Sequence, residues 1–254
     1  MRGDADSPVI LHVPHSATAI PAAVRAGILL GDRALDAELD RITDAHTARL
    51  AALAAAQCHS SPWQFVNRLS RLVVDPERFP DEREQMLAVG MGAVYTRTTH
   101  GDALRPPDFD PAPLLESYFH PYARAMSEVV ADRLAVTGRA VIIDVHSYPT
   151  RRLPYELHGD APRPAICLGV DEFHTPPELT ALAESVFADF GERGINTPFV
   201  GTYVPLDRYG IDSRVSALMI EIRRDSYMTE PGGVPGPGLE RLARALSGLV
   251  EALA

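Results

Sequence analysis

The stretch VIIDVHSYPT, residues 141–150, joins an apolar run to a group of ionisable side chains. Aliphatic residues surround Asp144, and His146 and Ser147 follow before the chain turns at Pro149. Such a run is typical of a strand that is covered on both faces, as in a parallel sheet between helices. The stretch therefore predicts a buried strand whose carboxyl end presents Asp144 and His146.

Similar apolar runs recur along the chain and alternate with helical patterns. The other predicted strands are residues 8–13, 165–170 and 217–224, and residues 64–80 are predicted to hold one or two short strands, of which residues 71–75 are the clearest. The predicted helices are residues 36–57, 113–138, 175–194 and 236–254, and residues 79–113 are predicted to form a long loop. Strands that alternate with helices predict an α/β sandwich with a mostly parallel sheet. The length of 254 residues suits one domain that spans residues 1–254.

The composition argues against several classes of protein. A formal net charge of −10 disfavours nucleic acid as the main partner, because phosphate binding requires a basic surface. Cys58 and Cys167 lie far apart in sequence, so neither a disulfide framework nor a thiolate zinc site is expected. The first residues lack the apolar stretch of a signal peptide, and no run of about 18 apolar residues occurs. We therefore expect a cytoplasmic protein that does not span a membrane.

Ionisable side chains also follow the other predicted strands. His15 comes just after the first apolar run, Asp75 ends the second, and Glu221 lies within the last. In open α/β sheets, ligands bind outside the carboxyl ends of the strands. We therefore expect these side chains to meet Asp144 and His146 at one edge of the sheet.

The two strand-end histidines suggest a metal site. Histidine is the commonest metal ligand, and Asp144, two residues before His146, lies on the same face and could orient its ring. The alternative is a hydrogen bond from His146 to a backbone carbonyl. Catalytic zinc usually takes three protein ligands, which requires a donor besides His15 and His146. Asp44 is a candidate for this third ligand; the alternative is that it is a charged group on a helix surface. Asp44 and His46 do not share a helix face, so at most one of them can point into the site.

Glu221 is flanked by apolar residues, where a carboxylate is unfavourable unless it is paired or bound. Burial raises the pKa of such a group and suits it to general-base catalysis. The alternative is a buried ion pair with Arg71 or Arg223. Arginines near the predicted strand ends offer bidentate contacts to an anionic substrate group.

Two other enzyme classes are disfavoured by missing motifs. Ser16 and Ser147 each follow a histidine, but the G-x-S-x-G turn of serine hydrolases is absent. No Gly-rich phosphate-binding loop occurs either, which disfavours a nucleotide-dependent enzyme.

Taken in order, segments along nearly the whole chain resemble the N-formylglutamate amidohydrolase family. These segments are HVPHSATAIP, ELDRITDAHT, SRLVVDPERFPDE, YFHPYARAM, VIIDVHSYP, GINTPFVGTYV and ALMIEIRRDSYM. The resemblance implies a phosphorylase/hydrolase-like fold related to zinc carboxypeptidases, a three-layer α/β/α sandwich with a mostly parallel mixed sheet. It also implies zinc-dependent cleavage of an N-acyl amide in amino-acid degradation.

The resemblance assigns roles to individual residues. His15, Asp44 and His146 would bind the metal, and Glu221 would be the base that activates water. Asp144 would support His146. The substrate-binding residues would be Arg71, Arg78, Asn196, Tyr203 and Arg224.

The chain departs from the family pattern at Ala17, Glu77, Thr202, Met219 and Arg223. The departures lie at pocket-type positions, while the metal-type positions match. We therefore expect a small carboxylate-bearing substrate, an N-formyl or N-acyl amino acid such as N-formylglutamate. The alternatives are a zinc carboxypeptidase or amidase that acts on a peptide or cell-wall fragment, and a protein that binds an acyl amino acid without cleaving it.

Overall fold

A computed structural model describes residues 1–157 and 159–254. The strands are β1 (Val9–Val13), β2 (Trp63–Val66), β3 (Ala140–Tyr148), β4 (Ile166–Gly169), β5 (Arg193–Ile195) and β6 (Val215–Arg223). The helices are α1 (Ala22–Arg25), α2 (Asp32–Ile42), α3 (Thr47–Ala55), α4 (Ala112–Leu114), α5 (His120–Thr137), α6 (Pro177–Val186) and α7 (Gly238–Leu253). No helix of the described residues is both long enough and apolar enough to cross a membrane.

The strands of the described chain form one six-stranded sheet in the order β2-β1-β3-β6-β4-β5. All neighbours are parallel except β4 and β6, which are antiparallel. This mixed, mostly parallel sheet confirms the predicted fold class. The long strands β3 and β6 pair along their whole length at its centre.

Helices cover both faces of the sheet. Val141, Ile143 and Val145 of β3 join the core beneath α3, α6 and α7, whereas Ala140 and Ile142 join the core beneath α5. This alternation follows from the two-residue period of a strand. Three layers result, as predicted.

The helix predicted over residues 36–57 is wrong in its middle. α2 ends at Ile42 and α3 begins at Thr47, because Thr43 is extended and His46 adopts a left-handed backbone with φ 69°. Thr and Asp favour such breaks, since their side chains compete for backbone hydrogen bonds. The break places Asp44 on a turn rather than on a helix face.

The strand predicted at residues 71–75 is also wrong. Leu72 and Val73 are buried, but their segment forms a turn in which Val73 N donates to Ser70 O. The second short strand that was possible within residues 64–80 is present as β2, at Trp63–Val66, whereas β5 was not predicted. The other predicted helices and strands, and the long loop over residues 79–113, are present, with a short 3-10 turn (Gln85–Val89) inside the loop. The helix predicted over residues 175–194 is shorter than expected, because α6 ends at Val186 and β5 begins at Arg193.

Candidate active site

The face of the sheet beneath α5 changes from apolar to ionisable along the central strands. Ile142 of β3 packs in the core with Met126 of α5, whereas Asp144 and His146 lie further along the same face. The parallel register then sets His146 directly beside Glu221 of β6. The expected meeting of these groups at the carboxyl edge of the sheet is therefore present.

Three donor atoms converge at this edge. His15 Nδ1 lies 3.2 Å from His146 Nδ1, and Asp44 Oδ2 lies 3.1 Å from His146 Nδ1 and 3.7 Å from His15 Nδ1. Ligand atoms about 2.0–2.1 Å from a tetrahedral zinc ion stand about 3.3 Å apart from one another. The spacing and chemistry of this buried set therefore fit a zinc-type metal.

Each histidine is oriented by a second carboxylate. His15 Nε2 lies 2.9 Å from Asp75 Oδ1, and His146 Nε2 lies 2.9 Å from Asp144 Oδ1. With a proton on Nε2, each neutral ring donates to its carboxylate and directs the Nδ1 lone pair into the site. Asp144 is thus placed to orient the His146 ring.

Asp44 is fixed by the turn between α2 and α3. Its backbone N donates to His15 O at 3.0 Å, and its side chain accepts from Ser147 N at 3.2 Å. Arg224 Nη2 contributes a longer contact of 3.4 Å to the other carboxylate oxygen. His46 points elsewhere and bonds to Gly233 O.

The charges of the site stabilise one another. Burial alone raises the pKa of Asp44, but hydrogen bonds from His146 and His15 outweigh it and hold that pKa far below its usual range. Burial lowers the pKa of His146, but Asp144 and Glu77 outweigh that effect and raise it well above the ordinary value. Without a metal, the site therefore retains protons that a bound cation would have to displace.

Glu221 differs from the other carboxylates because it has no ion-pair partner among the described residues. Its side chain is buried, and its Oε2 has no hydrogen-bond partner in the described chain. Burial raises its pKa to about 7. The alternative of an ion pair is not realised, since Arg223 pairs with Asp225 and Arg71 with Asp75.

The three predicted substrate-binding arginines have different surroundings. Arg224 donates to Arg41 O and Ser147 and contacts Asp44, so its guanidinium holds the site together. Arg71 Nη2 lies 2.7 Å from Asp75 Oδ2, whereas Arg78 Nε lies 3.5 Å from the same oxygen. Arg78 Nη1 lies 3.8 Å from Glu84 Oε1, and Arg78 Nε has no hydrogen-bond partner among the described residues, so Arg78 is held less tightly than Arg71.

Asn196 and Tyr203, the other predicted substrate-binding residues, both line the cavity above the site. The Asn196 side chain is engaged with the backbone: it accepts from Val170 N at 2.8 Å and donates to Val170 O at 3.1 Å. These hydrogen bonds anchor the segment after β5. The Tyr203 ring packs 4.6 Å from that of His12. Burial raises the pKa of the Tyr203 hydroxyl, so this group is neutral and able to donate.

Sequence reasoning gave no role to two carboxylates of the site. Asp75 was placed at a strand end, but its contact with His15 was not foreseen. Glu77 was noted only as a departure, yet its Oε1 lies 3.2 Å from His146 Nε2 and 3.5 Å from His12 Nδ1. The D-x-E spacing after a buried run was the available signal.

The site lies at the base of a cavity of about 800 Å³. Its wall includes the loop that follows Asp75 and the segment between β5 and β6. A ligand therefore reaches the converging donors through a deep pocket, with Glu221 beside them.

The six-stranded mixed sheet between layers of helices is that of a zinc-carboxypeptidase-like α/β fold. The chain belongs to the N-formylglutamate amidohydrolase family, whose model matches residues 7–228.

Known proteins agree with this assignment. The N-formylglutamate deformylase of Pseudomonas aeruginosa is 26% identical over 232 residues, which cover 88% of this chain and 83% of that protein. The solved N-formylglutamate amidohydrolase from Ralstonia eutropha JMP134 has a TM-score of 0.78 and 22% identity, covering 97% of this chain and 92% of that one. A solved gene product of Agrobacterium tumefaciens has a TM-score of 0.70 and 19% identity, covering 99% and 92%. The two structural likenesses support the fold.

Proposed function

We propose that the protein is a metal-dependent amidohydrolase that cleaves an N-formyl or N-acyl amino acid such as N-formylglutamate. The observation that carries the proposal is the convergence of His15, Asp44 and His146 next to an unpaired, buried Glu221. A divalent metal, zinc by the chemistry of these donors, would be held by the three residues. It would supply Lewis acidity to the acyl oxygen and to water.

Glu221 moves the protons of the reaction. Water adds to the acyl carbon and the C–N bond breaks, so the products are a carboxylic acid and a free amino acid. The Glu221 carboxylate takes a proton from the attacking water and returns it to the departing nitrogen. A pKa near 7 suits both steps at neutral pH.

Arg78 binds the substrate carboxylate, because it lines the cavity and its own carboxylate contacts are long, at 3.5 Å to Asp75 and 3.8 Å to Glu84. Arg71 stands beside it on Asp75 and adds positive charge. Tyr203 closes the pocket next to His12. These contacts hold the amide between the metal ligands and Glu221.

The test combines metal analysis with turnover. Protein purified without chelator is expected to carry about one zinc and to release free amine from N-formylglutamate or another N-acyl amino acid. Glu221→Gln should lower kcat by at least about a hundredfold and leave the metal content unchanged, because it removes only the base.

Glu178→Gln is the matched control, since Glu178 is an exposed carboxylate in the first turn of α6. It should keep full activity. Full activity of Glu221→Gln would refute the mechanism, and failure on every N-acyl amino acid would refute the proposed function.

A further inference from the structure

The cavity is larger than N-formylglutamate requires. That molecule has about twelve non-hydrogen atoms, which at no more than about 30 Å³ each occupy less than about 400 Å³. The cavity measures about 800 Å³. About half of it is therefore left for a further part of a substrate.

Positive charge in the cavity is concentrated at one place. Arg71 and Arg78 both contact Asp75 Oδ2, so their guanidinium groups lie together. Within 3.5 Å these two arginines share the single carboxylate of Asp75, and Glu84 lies 3.8 Å from Arg78, whereas Arg41 contacts Glu38, Arg83 contacts Asp81 and Arg224 contacts Asp44. One carboxylate of a substrate is thus accommodated beside Arg71 and Arg78, but a second finds no comparable pair of arginines among the described residues.

Another part of the cavity wall is apolar. It consists of Phe199, Val200, Leu206 and Tyr209 from the segment between β5 and β6, together with Met219 of β6; we call it the apolar wall. Val200, Leu206 and Tyr209 are 61%, 40% and 39% exposed. Large apolar side chains clustered around a pocket are typical of a surface that a ligand covers.

Acidic groups lie near the apolar wall, and Arg208, the arginine of the same segment, is paired with Asp207 and Asp212. Tyr209 donates its hydroxyl to Asp171 Oδ2 at 3.1 Å, and Glu172 also lines the cavity. A second substrate carboxylate placed there would meet like charge. An apolar group placed there would instead lose its contact with water.

We propose that the preferred substrates are N-acyl amino acids with a single carboxylate and a bulky apolar group, which lies on the apolar wall. The inference rests on the proposed function and narrows its substrate class. The apolar group can belong to the amino acid or to the acyl part; both present the same chemistry to the wall.

The test compares kcat/KM for N-formylphenylalanine, N-phenylacetylglycine and N-formylglutamate on the zinc-loaded protein. At least one apolar substrate should exceed N-formylglutamate by about tenfold or more, as expected for burial of one large apolar group. The apolar substrate with the higher kcat/KM shows whether the amino acid or the acyl part contacts the apolar wall.

Leu206→Arg tests the location of the effect. It should lower the ratio of apolar to N-formylglutamate kcat/KM by about tenfold, since it replaces apolar surface with a second cation. Ile211→Arg is the control because Ile211 is 74% exposed and lies outside the cavity lining. It should leave that ratio unchanged.

A kcat/KM for N-formylglutamate that equals or exceeds those of both apolar substrates overturns the inference while leaving the proposed function intact. An unchanged ratio in Leu206→Arg overturns the assignment to the apolar wall. Absence of turnover with all three substrates counts against the proposed function itself.

Discussion

At the scale of single residues, Glu221 shows how burial turns an ordinary carboxylate into a base. The groups that surround it are His146, Asp44, Arg71 and His15, and burial outweighs the net attraction of these charges. Its pKa rises from 4.5 to about 7 in the folded protein. The free-energy cost of ionising Glu221 inside the fold should therefore appear in the free energy of unfolding as the pH changes.

The stability of metal-free protein should depend on pH through Glu221. Between pH 4.5 and about 7 the folded state holds a proton on Glu221 that the unfolded chain has released. The stabilising contribution is fully present below the unfolded pKa and is lost as the pH rises through the folded pKa, up to about 3 kcal/mol. Glu221→Gln removes this dependence.

Urea unfolding in the presence of chelator, at pH 5 and pH 8, measures the effect. The free energy of unfolding of the unaltered protein should fall relative to that of Glu221→Gln as the pH rises. Glu178→Gln should instead follow the unaltered protein. A difference between the unaltered protein and Glu221→Gln that does not change with pH contradicts the assigned pKa.

The residues of the site were predictable to different degrees. His15, His146 and Glu221 stand at or near the ends of apolar runs, and period-two alternation is enough to place them at one edge. Asp44 could be named only as a candidate from the sequence, because composition alone favours a surface position, and the resemblance then assigned it the role of a ligand. Glu77 became visible only in three dimensions, since its contacts join a loop to β1 and β3.

At the scale of elements, the end of β4 and the segment that carries the apolar wall approach each other closely. A Cβ on Gly169 would lie 2.1 Å from Gly201 O and 2.4 Å from the Met219 side chain. A side chain at this position would therefore push β4 away from Gly201 and the apolar wall. Glycine is required here by space rather than by an unusual backbone angle.

The same substitution at two glycines should have opposite effects. Gly169→Ala is expected to destabilise the protein by about 1–3 kcal/mol, because backbone atoms must move. Gly248→Ala should stabilise it by up to about 1 kcal/mol, since Gly248 lies inside α7 with no atom within 4 Å of the added Cβ. The melting temperatures of both variants test this prediction. Equal shifts in Tm would contradict the close approach at β4.

Elements with a strong local pattern were predictable, and those that depend on distant partners were not. β3 and α7 carry continuous apolar or helical periodicity and lie where they were expected. Residues 71–75 are equally apolar, but an apolar run indicates burial and does not say whether the backbone pairs with a strand. β5 spans only Arg193–Ile195 and depends on pairing with β4, so its own sequence carries little signal.

At the scale of the whole molecule, the site joins segments that are far apart in sequence. His15 follows β1, Asp44 lies between α2 and α3, and His146 belongs to β3, with 131 positions between His15 and His146. Strand order and the antiparallel placement of β4 could not be read from local patterns, because they depend on how distant segments pack. A cation bound by these residues would cross-link the fold.

Zinc should therefore raise the thermal stability of metal-free protein. A ligand that binds the folded state alone contributes about 2.7 kcal/mol at a hundred times its Kd. For a chain of this size that corresponds to a rise in Tm of about 5–10 °C. Magnesium at the same concentration should have little effect, since it prefers six oxygen ligands and this site offers two imidazoles.

His146→Ala should abolish the zinc effect in differential scanning calorimetry, whereas His59→Ala, at an exposed histidine far from the site, should retain it. An identical rise in Tm with His146→Ala would place the bound zinc elsewhere on the protein.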